Sequence, residues 1–191
     1  MQVVAGSARR IQLKTLAGDH TRPTSNRIKE TLFNILQPYI PGCRFLDLYA
    51  GSGGIGIEAL SRGAEAAVFV DNNRQACAVI EDNLTRTRLK EKARLYQSDA
   101  AAALKRLALS REPFDIIFMD PPYDDPWERQ LWPLLSESPL VGPDTMIIVE
   151  TRIERSFPDL SRWGFTLFRE KEYKNNKHVF IRRKEEMHEQ A

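Results

Sequence analysis

Ten residues constrain the fold of this chain more than any others: Asp47-Leu48-Tyr49-Ala50-Gly51-Ser52-Gly53-Gly54-Ile55-Gly56. They begin inside an apolar strand-like run, Phe45-Leu46-Asp47-Leu48-Tyr49. They end at a helical run through Ile57, Ala59 and Leu60 that Gly63 is placed to stop. Gly51, Gly53 and Gly56 satisfy G-x-G-x-x-G in the strand–loop–helix context that gives the pattern meaning. There the glycines allow a tight turn, close backbone approach to a ligand and close helix packing. From this unit onward the pattern alternates. Strands are expected at 67–71, 93–97, 114–119 and 145–150, with helices after Asn72-Asn73, over 100–108 and over 127–135. Runs at 165–168 and 179–181, around the polar Tyr173–Lys177, read as a closing antiparallel hairpin. The expectation is one α/β domain over 1–191: a seven-stranded, mostly parallel sheet with helices on both faces.

The region before the glycine loop has a different character. Residues 1–45 carry seven Lys/Arg against two Asp/Glu, whereas 46–150 carry eleven against seventeen. A basic arm on an acidic body suggests an anionic macromolecular partner. Residues 1–22 read as a small β-hairpin around Gly6-Ser7 that carries Arg9, Arg10 and Lys14, with the catalytic core over 23–184 and a frayed tail over 185–191. Pro23 and Thr24 or Ser25 lead into a helix whose apolar stripe is Ile28, Leu32, Ile35 and Leu36, with Arg27 and Lys29 off that stripe. Arg9, Arg10, Lys14, Arg22, Arg27 and Lys29 are the candidate contacts to such a partner's phosphates. The longest apolar runs fall short of the roughly 18 residues that span a bilayer, and no signal-peptide pattern opens the chain. Cys43 and Cys77 form no Cys-x-x-Cys pair, and no His/Cys/Asp/Glu group has metal-ligand spacing. A cytoplasmic protein without a metal, a membrane contact or a second subunit is expected.

Chemistry concentrates at the strand ends. Asp71 ends the second strand, 20 residues after Gly51, where a carboxylate can accept from ribose hydroxyls. Asn72 adjoins it. Asp99 ends the third strand, before Ala100, and is placed to accept from an adenine amino group. Asp120-Pro121-Pro122-Tyr123 ends the fourth, because two prolines cannot continue a sheet ladder. A pyrophosphate cofactor such as NAD suits the glycine motif alone. Asp47 at the same loop suits a cationic ligand better, and together the acids describe a site for S-adenosylmethionine. A hydrolase elbow around Ser52, with Asp120 and His178, lacks its first glycine and leaves Asp71 unexplained.

Asp47–Gly56, Asp71, Asp99 and Asp120–Tyr123 resemble the ordered motifs of Rossmann-like class I methyltransferases that modify exocyclic amino groups. More narrowly, Arg22-Pro23-Thr24-Ser25-x-Arg27-x-x-Glu30-Thr31-Leu32-Phe33-Asn34, Asp47–Gly53 and Glu58–Ala64 are similar to the RsmD family, over nearly the whole chain. That resemblance implies methylation of N2 of one guanine in 16S ribosomal RNA, in the small ribosomal subunit or its assembly intermediate, with S-adenosylhomocysteine as product. It implies that Thr24, Asp47, Tyr49, Ala50, Gly51, Ser52, Gly53, Gly56, Asp71, Asn72, Asp99, Ala100 and Asp120 hold the cofactor. Asp120, Pro121, Pro122 and Tyr123 would then handle the base, with Asp120 and the Pro121 carbonyl accepting from the amino group and Tyr123 stacking. A DNA adenine methyltransferase and a non-catalytic RNA-binding module are the alternatives. The first usually carries a recognition domain for which this chain has no room, and the second has no need of Asp120–Tyr123. Tyr173–Lys177 lacks the glycine-containing turn expected of the family.

Overall fold

The computed structural model describes residues 1–16, 26–122, 126–157 and 159–184. Seven strands form one sheet: β1 (Arg44–Leu48), β2 (Ala66–Asp71), β3 (Ala93–Gln97), β4 (Phe114–Met119), β5 (Val141–Arg152), β6 (Phe165–Glu172) and β7 (Asn176–Arg183). Their order is β3-β2-β1-β4-β5-β7-β6. The first five are parallel; β7 pairs antiparallel with both β5 and β6. The expected α/β fold with its C-terminal antiparallel hairpin is therefore observed. The chain runs outward from β1 to β3 and then returns to place β4 on the other side of β1. Such a reversal opens a crevice at the carboxyl ends of β1 and β4.

Side-chain alternation builds two cores. Phe45, Phe69, Phe118, Ile148 and Phe180 face α1 (Asn26–Leu36), α2 (Gly54–Ser61) and α3 (Arg74–Thr87). Leu46, Val70, Ile117, Met119 and Val149 face α4 (Ala100–Leu107) and α5 (Glu128–Glu137). Burial on both faces is why β1 and β4 read as unbroken apolar runs. β3 lies at the sheet edge and is only partly buried, which explains its weak pattern.

Two local differences have physical causes. β5 starts at Val141, four residues before the expected Thr145, because its pairing with β4 shifts register between Phe114 and Ile116. The Thr145 hydroxyl donates to the Phe114 carbonyl at 2.6 Å and accepts from the Gly142 N–H at 2.8 Å, satisfying the irregular stretch. In α1 the buried stripe is Lys29, Leu32, Phe33 and Leu36, rotated from the expected one; Ile28 and Ile35 are only half-buried.

The N-terminal arm is a hairpin, as its Gly6-Ser7 turn suggests. Gln2 and Gln12 form an antiparallel bridge, and Val3 N–H donates to the Ile11 carbonyl at 3.0 Å. It packs on the body rather than standing free, since Val3, Ala8 and Leu13 join the first core. Gly6 has φ +86°, and a Cβ there would lie 1.8 Å from the Ser61 carbonyl oxygen, so only glycine fits. The 185–191 tail lies outside the described residues.

Candidate active site at the carboxyl edge of the sheet

The strand order sets an acid on each of five neighbouring strands. Across the edge they run Asp99 after β3, Asp71 on β2, Asp47 on β1, Asp120 after β4 and Glu150 on β5. Four belong to the expected set. Glu150 does not; from the sequence it closes an apolar strand and carries no motif.

Each acid has a distinct environment. Asp47 is 1% exposed, and its Oδ2 accepts the Gly56 N–H at 2.9 Å. Burial pushes its carboxyl up to about 8; the Gly56 N–H opposes the rise and the Asp71 charge adds to it. Asp71 accepts from Gly51 N–H through Oδ2 and from Asn73 N–H through Oδ1, both at 2.8 Å. It thus fastens the glycine loop to the end of β2, and each oxygen keeps a lone pair. Asp99 caps α4, its Oδ1 accepting from Ala102 N–H at 2.9 Å. Among the described residues the Asp120 carboxyl accepts no hydrogen bond. Its carboxyl is raised well above the ordinary range, first by enclosure among protein atoms, then by the charges of Glu150 and Asp47. Asp120 is nonetheless exposed as a residue, so water reaching its open side moderates the effect of enclosure.

The loop behaves as its spacing suggests. Gly51 and Gly53 have φ of +57° and +77°, and Tyr49, just past β1, has φ +64°. A Cβ on Gly56 would sit 2.3 Å from Phe69 Cε1, which is the close helix–sheet approach. Ala50 N–H donates to the Val70 carbonyl, and the Ser52 carbonyl accepts from Asn83 Nδ2 at 2.9 Å. A pocket of about 90 Å³ opens beside these residues. Tyr49, Asp71, Asn72, Asp99 and Ala100 line one side and Trp127, Gln130 and Leu131 the other. Pro121 is buried and Pro122 exposed; Tyr123, Thr24 and Arg22 lie outside the described residues.

The basic residues divide. Arg9, Arg10 and Arg27 are exposed, and Lys14, also exposed, pairs with Asp82 at 2.9 Å. Lys29 corrects the expectation of a phosphate contact: it is fully buried, its Nζ 3.0 Å from Glu58 Oε2 and 2.6 Å from the Gln2 carbonyl. Glu58 also holds Arg62 at 2.8 Å and accepts the Val4 and Ala5 N–H groups. This buried cluster docks the arm on α1 and α2. Its sequence signal was weak, because a Lys beside a helical stripe ordinarily reads as solvated. Asn83 adds a second pin, exchanging hydrogen bonds with the Lys14 backbone while holding Ser52. The hydrolase reading fails, since His178 is fully buried between Glu150 and Tyr173.

Comparison with known proteins places this geometry in a family. The model of "Conserved hypothetical protein 95" matches residues 1–182. The chain is 42% identical over 159 residues to the putative rRNA methyltransferase YlbH of Bacillus subtilis, covering 83% of this chain and 86% of that one. It is 35% identical over 172 residues to ribosomal RNA small subunit methyltransferase D of Haemophilus influenzae, covering 90% and 88%. Among solved structures, the putative methyltransferase yhhF of Escherichia coli superposes with a TM-score of 0.82 at 31% identity, over 96% of this chain and 98% of that one. On these matches the chain belongs to the conserved hypothetical protein 95 family, that of the RsmD methyltransferases.

Proposed function

We propose that this protein transfers a methyl group from S-adenosylmethionine to the exocyclic N2 amino group of a guanine in 16S ribosomal RNA, within the small ribosomal subunit or its assembly intermediate. The observation that carries the reading is the row of acids on neighbouring strands at the reversal between β1 and β4. A pyrophosphate would be repelled there, whereas a ligand with an ammonium and a sulfonium is attracted. The residues fit such a cofactor: Asp47 for its amino group, the Gly51–Gly53 loop for its backbone approach, Asp71 for ribose hydroxyls, and the pocket beside Asp99 and Ala100 for adenine. When bound, the cofactor supplies an electrophilic methyl on sulfur. The names of the relatives support ribosomal RNA as acceptor.

The chain's own task is to prepare the acceptor nitrogen, whose lone pair is delocalised into the base. Asp120, with no hydrogen bond from its described neighbours, accepts one amino N–H; the Pro121 carbonyl accepts the other and Tyr123 stacks on the base. Both acceptors favour a pyramidal nitrogen aimed at the methyl, and the carboxylate stabilises positive charge developing there. The pocket's apolar wall at Trp127 and Leu131 excludes water from the cofactor side. Arg9, Arg10 and Arg27 present charge for RNA phosphates on the face that carries the arm. The test is transfer of labelled methyl to small-subunit particles, free 16S RNA or duplex DNA. Label in RNA guanine supports the reading; label in DNA adenine, or none with bound RNA, overturns it.

A further inference from the structure

The mechanism leaves one buried polar row unused. Met119 pairs with Val149 at the last register of the β4–β5 ladder, so Asp120 and Glu150 follow directly on neighbouring parallel strands. Glu150 in turn pairs with His178 on β7. Glu150 is 5% exposed; His178 Nε2 lies 3.0 Å from its Oε2, and Asn176 Nδ2 donates to its Oε1 at 2.5 Å. The Tyr173 hydroxyl is 3.0 Å from His178 Nδ1. Burial, with the Glu150 charge added and Arg169 opposing, pushes the Tyr173 phenol up to about 12, so it keeps its proton. The phenol, keeping its proton, can donate to Nδ1, while the other ring nitrogen, Nε2, faces Glu150. His178 Nε2 and Asn176 Nδ2 together fix the position of the Glu150 carboxyl.

We propose that Glu150, clamped by His178 and Asn176, is a positioning residue for Asp120: its fixed negative charge governs the ionisation of Asp120 across the strand boundary and thereby the pH at which methyl transfer begins. The inference rests on the function proposed above, in which a carboxylate at Asp120 accepts the amino N–H. Among the described residues, the titratable and charged groups facing the row are Asp47 on β1 with Asp71 behind it, Arg169 and Lys171 on β6, and Tyr173 at the β6–β7 turn. Asp120 feels Glu150 more strongly than Asp47. Like charge disfavours ionisation, so removing the Glu150 charge must let Asp120 ionise at lower pH.

Glu150→Gln is the test, because the side chain keeps its shape: the amide oxygen accepts from His178, and a turned Asn176 offers its oxygen to the amide N–H. Carbon-13 NMR of carboxyl-labelled aspartate, with Asp120→Asn identifying the signal, reads the Asp120 midpoint without any substrate. The midpoint should fall by about one pH unit, and the acidic limb of kcat/KM should follow it, with cofactor affinity unchanged. Glu150→Asp keeps the charge one methylene further back; it should move both in the same direction by less, and it serves if the first variant does not fold. An unmoved midpoint in a folded variant overturns the proposal, as does a moved midpoint with an unmoved acidic limb. Absence of methyl transfer by the native protein would count against the proposed function alone, since the NMR midpoint still decides the coupling.

Discussion

Replacing Asp47 with Asn should stabilise the unliganded protein while weakening its hold on the cofactor. Asp47 is 1% exposed and its carboxyl is pushed up to about 8, chiefly by burial. In the unfolded chain it titrates near about 3.9. Between those values the folded state holds a proton that the unfolded state has released, so stability falls as pH rises, by about 1.4 kcal/mol per unit. Asn cannot titrate, yet its amide oxygen can accept the Gly56 N–H that Asp47 Oδ2 accepts at 2.9 Å. Other groups titrate in both proteins and largely cancel. The stability gap between Asp47→Asn and the native protein should therefore widen by roughly 4 kcal/mol between about pH 4.5 and 7.5. Urea unfolding at several pH values measures it. Binding should show the opposite preference: a cationic ligand draws the carboxyl into its ionised form, so at pH 7 the native protein should release a proton on binding S-adenosylmethionine and the variant should not. Calorimetry in two buffers of different ionisation enthalpy reads that proton. A pH-independent stability gap, or binding without proton release, would refute the argument.

Three further outcomes are expected. Lys29→Met leaves the buried Glu58 with Arg62 and the Val4 and Ala5 N–H groups as its remaining partners and should cost about 1–3 kcal/mol in urea unfolding, with salt having little effect on the loss. Gly56→Ala would drive a Cβ to 2.3 Å from Phe69, so unfolding should occur about 1–3 kcal/mol earlier and cofactor affinity should fall with it. Charge reversal at the exposed Arg9 and Arg10 should lower RNA affinity and flatten its dependence on salt, read by filter binding at several ionic strengths, while calorimetry shows unchanged cofactor affinity.

The parallel sheet was legible because strands buried on both faces leave continuous apolar runs, and because Gly51 and Gly53 turn with positive φ while Gly56 packs where a Cβ would meet Phe69. β4 was read to the residue, since Pro121-Pro122 ends it chemically. β5 was read short, because its first residues are paired through a register shift that the Thr145 hydroxyl repairs, and no periodicity records that. The acids at the strand ends were individually visible; their order across the sheet was not, because adjacency depends on the crossover that sets β4 beside β1. Lys29 and Glu150 were hidden for a common reason. A single charged residue in sequence looks solvated, and only the tertiary partner, Glu58 in one case and His178 in the other, makes it internal.

Asp120, expected beside both ligands, acts in the proposed reaction chiefly on the acceptor amino group. Purified small-subunit particles lacking the modification, incubated with labelled S-adenosylmethionine and digested to nucleosides, test it most directly when native protein and Asp120→Ala are compared alongside calorimetric cofactor binding. The native protein should form N2-methylguanosine, and Asp120→Ala should form it at least about 100-fold more slowly at nearly unchanged cofactor affinity. Undiminished methylation by Asp120→Ala, or activity lost in proportion to cofactor affinity, would contradict it.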